Sequence, residues 1–394
     1  MTLPGCRRDA GATLAYTIHR VRILVSAGEA SGDMYGAQLM EALRRLDPSC
    51  RFFGAGGERM RTAGCDTVVD ARDLSVVGIT EIISHLPKIY SLFHKLIAAA
   101  DRHRPDVAVV IDSPAFNWRV ARQMRKRGIP VAYYVCPQFW AWRQGRVRLL
   151  RKYVTKALVI FPFEEKFYRD RGVDASFVGH PLAHLAMPAI SRADYAAQFG
   201  LGGGRPWITL MPGSRIKEVG MNLPPILQSA TSLGSDYEYL LPVAPTLDRS
   251  FLKNMIGDLP IHFVPESLPA LHHSRAGIIA SGTATVEAAM MGTPFVMVYR
   301  VSPLTYFLGK PRVKVPRFAM VNLIAEREVV PELVQADFTA QNVVARLNEI
   351  IPDGPARQAM LSGLEEVKTR LRGAAEDAVH PADRAAKAVL ALTG

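Results

Sequence analysis

Short apolar runs alternate with amphipathic segments along this chain, and this alternation limits its possible folds more than any other feature. The first run, 21–26, ends just before Gly28 and precedes a helical pattern over 34–46. Such runs are typical of strands buried on both faces of a parallel sheet. Further strands are predicted over 51–53, 106–111, 131–135, 157–161 and 176–178, with helices over 86–100 and 118–126. This half is therefore predicted to be an α/β domain with a helix-covered parallel sheet.

A second series of the same kind follows a break at 185–205. Its strands are predicted over 207–210, 237–241, 261–264, 277–280 and 295–299, and its tail, 338–392, has a helical pattern interrupted near Pro352 and Pro381. A chain of 394 residues suits two domains. We predict a loose extension over 1–20, a Rossmann-like domain over 21–190, and a second Rossmann-like domain with terminal helices over 200–394. The two domains are expected to face a central cleft.

Composition indicates which partners and which cellular compartment to expect, but it does not identify the function. The chain carries 48 basic and 36 acidic residues, a net charge of +12, which favours anionic partners such as phosphates, nucleic acid or acidic lipids. Its four cysteines have no CxxC spacing, as expected of a reduced, cytoplasmic protein. The sequence contains no apolar stretch long enough to span a membrane. We do not expect a secretory signal, because the first 20 residues contain no continuous apolar run.

Polar residues follow two strands of the first domain. A glycine-containing turn from Gly28 to Asp33 follows the first strand, where helix amides favour an anion. Alternatively, its glycines only permit a tight turn and Asp33 caps the helix. Asp112 follows the strand 106–111, at the edge where open α/β sheets hold their chemistry. It is predicted either to accept a proton from a substrate hydroxyl or to cap the next helix.

The second domain has two comparable turns. Residues 212–215 (Pro-Gly-Ser-Arg) follow its first strand, and Arg215 suits a phosphate leaving group. The turn of Ser281, Gly282, Thr283 and Ala284 opens a helix whose amides and dipole favour a diphosphate. Glu287 is predicted to accept hydrogen bonds from a ribose diol, or else to close a capping box.

Two surface patterns remain. The 51 residues from Ser113 to Phe163 contain eleven Lys and Arg and no acidic residue, with aromatic side chains between them. This pattern suits a membrane interface or single-stranded nucleic acid, and its plainer alternative is a solvated helix face. Apolar residues over 74–83 and 89–100 form either a core-facing stripe or an exposed patch for acyl chains.

Several motifs are missing from the sequence. Asp-x-Asp, HExxH, a Cys/His cluster, a Walker-A loop and a GxSxG elbow do not occur. We therefore predict neither a metal site nor a cofactor, so that helix amides and basic side chains stabilise any phosphate leaving group.

In their order along the chain, these segments resemble lipid-A-disaccharide synthase, a bacterial glycosyltransferase family with the two-Rossmann GT-B fold. The matching pieces lie at 27–33, 53–57, 77–81, 111–117, 140–143, 161–164, 177–181, 211–215, 280–287, 299–300, 321–323 and 330–332. Each piece alone is weak, but the ordered set is specific and covers the chain from about Arg22.

The resemblance implies a reaction. UDP-2,3-diacylglucosamine donates its sugar to the 6-hydroxyl of 2,3-diacylglucosamine 1-phosphate (lipid X), giving a β-1,6-linked disaccharide 1-phosphate and UDP with inversion. It also implies that Asp112 is the base and that Asn322 matches an active-site asparagine. Arg215, Ser281, Gly282–Ala284 and Glu287 are assigned to UDP, and Glu29 and Ser31 to the acceptor side. The first domain is expected to bind the inner membrane leaflet peripherally through its basic and apolar patches.

Two other functions stay open at this point. A UDP-N-acetylglucosamine 2-epimerase-like enzyme would share the fold and nucleotide site but need no lipid-facing surface. A nucleic-acid-binding protein would use the basic window but give the glycine-rich turns no purpose, so nucleic acid is not the expected partner. The sequence leaves open whether the chain forms a homodimer.

Overall fold

The structure, a computed structural model, describes residues 20–74, 79–202, 204–244, 247–309, 315–372 and 379–393, with the backbone alone at 30, 79–86, 304, 308 and 309. Residues 1–19 of the predicted extension 1–20 and the motif residues Val77 and Gly78 lie outside these ranges. Within them, two parallel sheets form two lobes, as the strand–helix alternation predicted.

The N-terminal lobe is built on a sheet with the strand order β3-β2-β1-β4-β5-β6-β7. Its elements are β1 (Arg22–Ala27), α1 (Ala30–Leu46), β2 (Arg51–Gly56), α2 (Glu58–Thr62), β3 (Cys65–Asp70), α3 (Ala71–Leu74), α4 (Ile79–His103), β4 (Val107–Ile111), α5 (Pro114–Lys126), β5 (Val131–Tyr134), α6 (Val147–Tyr153), β6 (Lys156–Val159), α7 (Pro162–Arg169) and β7 (Ala175–Phe177). The helices α4, α5 and α6 cover one face of this sheet, where Leu96, Val120 and Leu150 are buried.

The C-terminal lobe has the strand order β10-β9-β8-β11-β12-β13. Its elements are α8 (Arg192–Phe199), β8 (Trp207–Met211), α9 (Ile216–Leu233), β9 (Glu238–Pro242), α10 (Arg249–Ile256), β10 (Ile261–Val264), α11 (Ser267–His273), β11 (Ala276–Ala280), α12 (Thr283–Met291), β12 (Phe295–Tyr299), α13 (Pro303–Gly309), α14 (Met320–Ala325), β13 (Glu332–Val334), α15 (Ala340–Ile350) and α16 (Pro355–Arg372). The last helix, α17 (Pro381–Leu390), completes the chain.

The last helix corrects the predicted domain boundaries. We predicted that all of 200–394 forms the second domain, but α17 packs against α1 of the N-terminal lobe. An ion pair between Arg45 and Asp383 (2.5 Å) joins the two helices. The chain therefore crosses between the lobes twice: once at the short 3-10 turn Pro181–His184, and again after α16.

Each sheet has one switch point, at which the strand order changes direction. The order changes direction between β1 and β4 in one lobe and between β8 and β11 in the other. Open α/β sheets bind ligands in the crevice at such a switch point, beyond the carboxyl ends of the strands. The four turns singled out in the sequence follow these four strands, so the topology brings each pair of turns together.

Candidate active site

Asp112 stands where β4 ends, in an unusual backbone conformation. Asp112 and Ser113 both have φ of 45°, in the left-handed region that non-glycine residues rarely adopt. The Asp112 carbonyl oxygen accepts a hydrogen bond from the Tyr133 hydroxyl (2.8 Å). This turn keeps Asp112 at the strand end before α5 begins. No side-chain cap bond is made by Ser113, the residue preceding α5.

Asn117 holds this turn in place. Its side chain is fully buried, and its Nδ2 donates to the carbonyl oxygens of Ile111 (2.8 Å) and Asp112 (2.9 Å). Nδ2 also donates to Ser26 O (3.1 Å), while Oδ1 accepts from Ser26 Oγ (2.7 Å). One amide thus joins the ends of β1 and β4. Asn117 stands five residues after Asp112, in the first turn of α5. Its role in holding the turn was not predicted from the sequence.

The environment of Asp112 favours its protonated form. Burial, and then the negative charge of Glu29, raise the pKa of Asp112 to about 6, against the opposing effects of the Ser113 amide and Arg215. A carboxylate with a pKa near neutrality is well suited to accept a proton. The raised pKa of Asp112 is compatible with a general base, and that role stays a prediction.

The glycine-containing turn after β1 passes close to Ser113. A Cβ on Gly28 would lie 2.4 Å from Ser113 Oγ and 2.9 Å from Ser113 Cβ. Asp33 does not cap its own helix: its carboxylate accepts from the amides of Gly57 (2.6 Å), Arg59 (3.0 Å) and Met60 (3.1 Å), at the start of α2. The tight turn of the alternative is therefore present, but Asp33 binds the start of α2 and does not cap its own helix. The turn also leaves Glu29 and Ser31 at the cleft.

A cavity of about 130 Å³ lies between the lobes. From the N-terminal lobe it is lined by residues that include Ser31, Tyr35 and Asp112, and from the C-terminal lobe by Thr283, Val286 and Met320. At the cleft, Arg215 Nη2 lies 3.6 Å from Glu29 Oε2 of the opposite lobe. The structure therefore brings together residues predicted for the acceptor side, the base and the UDP site.

The start of α12 has the features of an anion site. Gly282 has φ of 140°, which favours glycine, and a Cβ there would meet nothing within 4 Å. Among the described residues, no side chain caps this helix. Ser281 Oγ donates to Phe318 O (2.9 Å), and Thr285 Oγ1 donates to Gly282 O (2.8 Å), so both hydroxyls stabilise the turn itself. The Thr285 amide donates to Gly282 O (3.1 Å), so the Thr283 and Ala284 amides are the ones left for an anion.

Glu287 lies further into the same helix. It is too far along α12 to form a capping box with Gly282, so that alternative does not apply. Its Oε2 accepts from Ser267 Oγ (2.7 Å), and burial raises its pKa. Tyr35 of the N-terminal lobe is near enough for the charges of both Asp112 and Glu287 to raise the pKa of its hydroxyl, after the larger effect of burial.

Asn322 has a different surrounding from the other predicted residues. It is fully buried, its Nδ2 donates to Val330 O and Glu332 Oε1 (both 2.8 Å), and its Oδ1 accepts from the amides of Val329 (2.7 Å) and Val330 (3.0 Å). Since all four hydrogen-bonding positions of the amide are occupied, Asn322 holds the loop before β13. The geometry therefore argues against direct contact between this amide and substrate, which we had expected from the resemblance.

Most aromatic residues of the basic window, and most of the described apolar residues of α4, belong to the core and not to the surface. Of the aromatic residues in the basic window, Tyr133, Tyr134, Phe139 and Trp140 are buried, whereas Trp142 is 45% exposed. On α4, Leu96 and Ile97 are buried and Leu92 and Phe93 pack against them, so the core-facing alternative holds there. The side chains over 75–86, where the rest of the apolar patch was predicted, lie outside those described.

The basic side chains are at the surface as expected. Those on the outer side of α5 and around α6 are exposed: Arg119, Arg122, Arg125, Lys126, Arg127, Arg143, Arg146, Arg148, Arg151 and Lys152. Because α4, α5 and α6 lie side by side, these charges form one surface, here called the α5–α6 basic face. Nowhere in the described ranges is a helix long and apolar enough to cross a membrane.

Two parallel-sheet lobes, with polar turns at both switch points, define the GT-B fold. Two solved structures share this fold over nearly the whole chain. The glycotransferase of kitacinnamycin has a TM-score of 0.62 and 16% identity, covering 94% of this chain and 98% of that one. The UDP-GlcNAc 2-epimerase from Neisseria meningitidis, bound to UDP-GlcNAc, has a TM-score of 0.57 and 12% identity, covering 94% and 99%.

The sequence comparison is more specific. A family model described as lipid-A-disaccharide synthetase matches residues 23–379. The lipid-A-disaccharide synthase of Koribacter versatilis is 52% identical over 377 residues, which cover 94% of this chain and 98% of that protein. The chain belongs to the lipid-A-disaccharide synthetase family and is a glycosyltransferase of lipid A biosynthesis. The resemblance found in the sequence is thereby confirmed.

Proposed function

We propose that the protein transfers diacylglucosamine from UDP-2,3-diacylglucosamine to the 6-hydroxyl of 2,3-diacylglucosamine 1-phosphate, releasing UDP and a β-1,6-linked disaccharide 1-phosphate. The family membership supports the reaction type and the acylated substrates. The single structural observation that supports this chemistry is the position of Asp112. Its half-buried carboxyl group lines the same interlobe cavity as Thr283, at the start of α12.

In this proposal, Asp112 is the general base. It removes the proton from the acceptor 6-hydroxyl as that oxygen attacks the anomeric carbon of the donor sugar, and the bond to UDP breaks on the opposite side. Such an inversion requires base and leaving group on opposite sides of the anomeric carbon, and the proposal is supported by Asp112 and Thr283 lining one cavity from opposite lobes. General-base assistance of this kind contributes about 10²–10⁴-fold to a rate.

The leaving UDP is stabilised from the C-terminal lobe. The first-turn amides of α12 and the side chain of Arg215 supply hydrogen bonds and positive potential to the diphosphate. Glu287 Oε2 is bonded to Ser267, and no described residue donates to its Oε1. We assign that oxygen to a hydroxyl of the ribose. Glu29 and Ser31 are assigned to the acceptor.

We also propose that the α5–α6 basic face binds the acidic surface of the cytoplasmic leaflet, which holds both lipid substrates. Arg148, Arg151 and Lys152, with Tyr153, line a surface groove of about 470 Å³ that suits a lipid phosphate. The burial of most aromatic residues in this window disfavours nucleic acid, because base stacking requires exposed rings. Peripheral attachment of this kind is reversible.

A UDP-release assay tests the proposed reaction. The enzyme is incubated with UDP-2,3-diacylglucosamine, with and without 2,3-diacylglucosamine 1-phosphate, in the presence of EDTA. We expect UDP only when both acylated sugars are present, and we expect activity to survive chelation. Among the described residues no group of three His, Cys, Asp or Glu side chains could hold a metal ion, but a metal-independent reaction stays a prediction until this assay is done. Release of UDP without the acceptor would contradict the proposal and favour epimerase-like chemistry.

A further inference from the structure

His180 is a buried histidine that lines the interlobe cavity. It follows β7, just before the turn Pro181–His184 that carries the chain to the second lobe. The side chain is 2% exposed, and its ring lies 5.3 Å from the ring of Phe161. His180 lines the same cavity as Asp112 and Thr283.

The hydrogen bonds of His180 determine which ring nitrogen carries the proton. Nδ1 accepts a hydrogen bond from the Leu182 amide (3.1 Å), so Nδ1 has no proton of its own. Burial lowers the pKa of His180 to about 3, which leaves the ring neutral at any physiological pH. The single ring proton is therefore on Nε2, and this nitrogen is a permanent donor.

This donor has no protein acceptor. Among the described residues no hydrogen bond is made by Nε2, although Nδ1 and the backbone amide of His180 are both bonded, the latter to Leu371 O (3.3 Å). Because His180 lines the interlobe cavity with Asp112 and Thr283, its Nε2–H is available to a ligand in that cavity. A ligand oxygen between the candidate base and the start of α12 would accept this hydrogen bond.

We propose that His180 is a further substrate-binding residue, and that its Nε2–H donates a hydrogen bond to an oxygen of the nucleotide sugar. This inference rests on the proposed function, since it requires a UDP-sugar in the cleft. The donor substrate is favoured over the acceptor because Thr283, in the first turn of α12, lines the same cavity.

Two substitutions separate this role from a structural one. In His180→Asn, the side-chain oxygen can still accept from the Leu182 amide, but the Nε2–H is lost. In His180→Gln, the amide nitrogen can replace Nε2–H, whereas the acceptor for Leu182 is lost. His184→Asn, an exposed position in the same turn, is the matched control. UDP affinity is measured by calorimetry, KM for the UDP-sugar by UDP release, and folding by Tm.

We expect His180→Asn to melt near the wild-type Tm but to bind the nucleotide about ten- to a hundredfold more weakly, and His180→Gln to retain more affinity despite a lower Tm. A loss of UDP affinity locates the bond at the diphosphate. A rise only in KM for the UDP-sugar locates it at the sugar, which equally supports the proposal. Wild-type affinity and KM in His180→Asn, or a greater loss in His180→Gln, would overturn it while leaving the proposed function intact. A wild-type enzyme that neither binds nor releases UDP would overturn both.

Discussion

Glu29 Oε2 and Arg215 Nη2 lie 3.6 Å apart and join the two lobes at the mouth of the cleft. Both side chains are largely exposed, so the pair contributes at most about 1 kcal/mol to stability. Its effect on chemistry is larger, because the two charges act on Asp112 in opposite directions. Glu29 raises the pKa of Asp112 and Arg215 lowers it.

Replacement of Asp112 by Asn tests its role as the base. The amide has the size of the carboxyl group but cannot accept a proton, so kcat should fall by about 10²–10⁴-fold while UDP binding changes little. In the wild-type enzyme, with a pKa of about 6 for Asp112, kcat/KM should decline below pH 6 as the carboxylate becomes protonated. Near-normal turnover of Asp112→Asn, with UDP still bound, would remove Asp112 from this role.

Glu29→Gln should shift the pH dependence of kcat/KM to lower pH. Loss of the negative charge at position 29 makes ionisation of Asp112 easier, so the acidic limb of kcat/KM should move to lower pH than in the wild type. Glu58→Gln, on the exposed helix α2, is the control and should leave the limb unmoved. The measurement is kcat/KM between about pH 5 and 8, and a shift to higher pH would contradict the assigned electrostatics.

Gly28→Ala tests the close approach of the β1 turn to Ser113. Because the new Cβ would meet both Oγ and Cβ of Ser113, the backbone must shift, at a cost of about 1–3 kcal/mol. We expect a lower Tm and reduced kcat. Gly220→Ala is the matched control, since no atom lies within 4 Å of its Cβ and it stands inside α9. Adding Ser113→Gly to Gly28→Ala should recover part of the loss, and no recovery would argue against this contact as the cause.

Much of the fold could be predicted because the buried strands have distinct patterns. The predicted segments 261–264 and 295–299 match β10 and β12 at both ends. β3 and β13 were missed: Cys65–Asp70 lacks an apolar run, and Glu332–Val334 has only three residues. The return of α17 to the first lobe depends on packing between residues far apart in sequence, which periodicity does not reveal.

The position of a site residue could be predicted where it follows a strand. Asp112, Arg215 and the turn at Gly282 are at the switch points because strand ends meet there, and their roles stay predictions. Asn117 and His180 were missed because the hydrogen bonds that distinguish them involve carbonyl and amide groups that only the folded chain brings near. Asn322 was assigned from the resemblance, and its four internal hydrogen bonds could not be foreseen from sequence.

Glu164→Gln should destabilise the wall of the cavity. Glu164 is fully buried, and its oxygens accept from Trp140 Nε1 (2.8 Å) and from the amides of Ile160 (3.1 Å) and Phe161 (3.0 Å). A glutamine would turn an NH₂ group towards at least one of these donors, at a cost of about 1–3 kcal/mol.

The measurement for Glu164→Gln is Tm, together with kcat, because Ile160 and Phe161 line the cavity. Glu165→Gln is the control, since Glu165 pairs with Arg169 on the helix surface, and such a pair contributes a few tenths of a kcal/mol. Equal Tm values for the two variants would show that the buried carboxylate is not needed to hold this segment.

Binding to acidic vesicles should depend on the α5–α6 basic face. The triple variant Arg148→Gln, Arg151→Gln and Lys152→Gln removes three exposed charges, each worth about 1 kcal/mol near an anionic surface, so partitioning should weaken about a hundredfold. The control triple replaces Arg249, Lys253 and Arg346 of the C-terminal lobe, which are also exposed, and should bind as the wild type does. Co-sedimentation with anionic and neutral vesicles measures the binding of both triple variants.

Salt at about 1 M, which shortens the screening length to about 3 Å, should release the wild-type protein. Salt-independent binding, or equal losses in the two triples, would contradict an electrostatic attachment through this face.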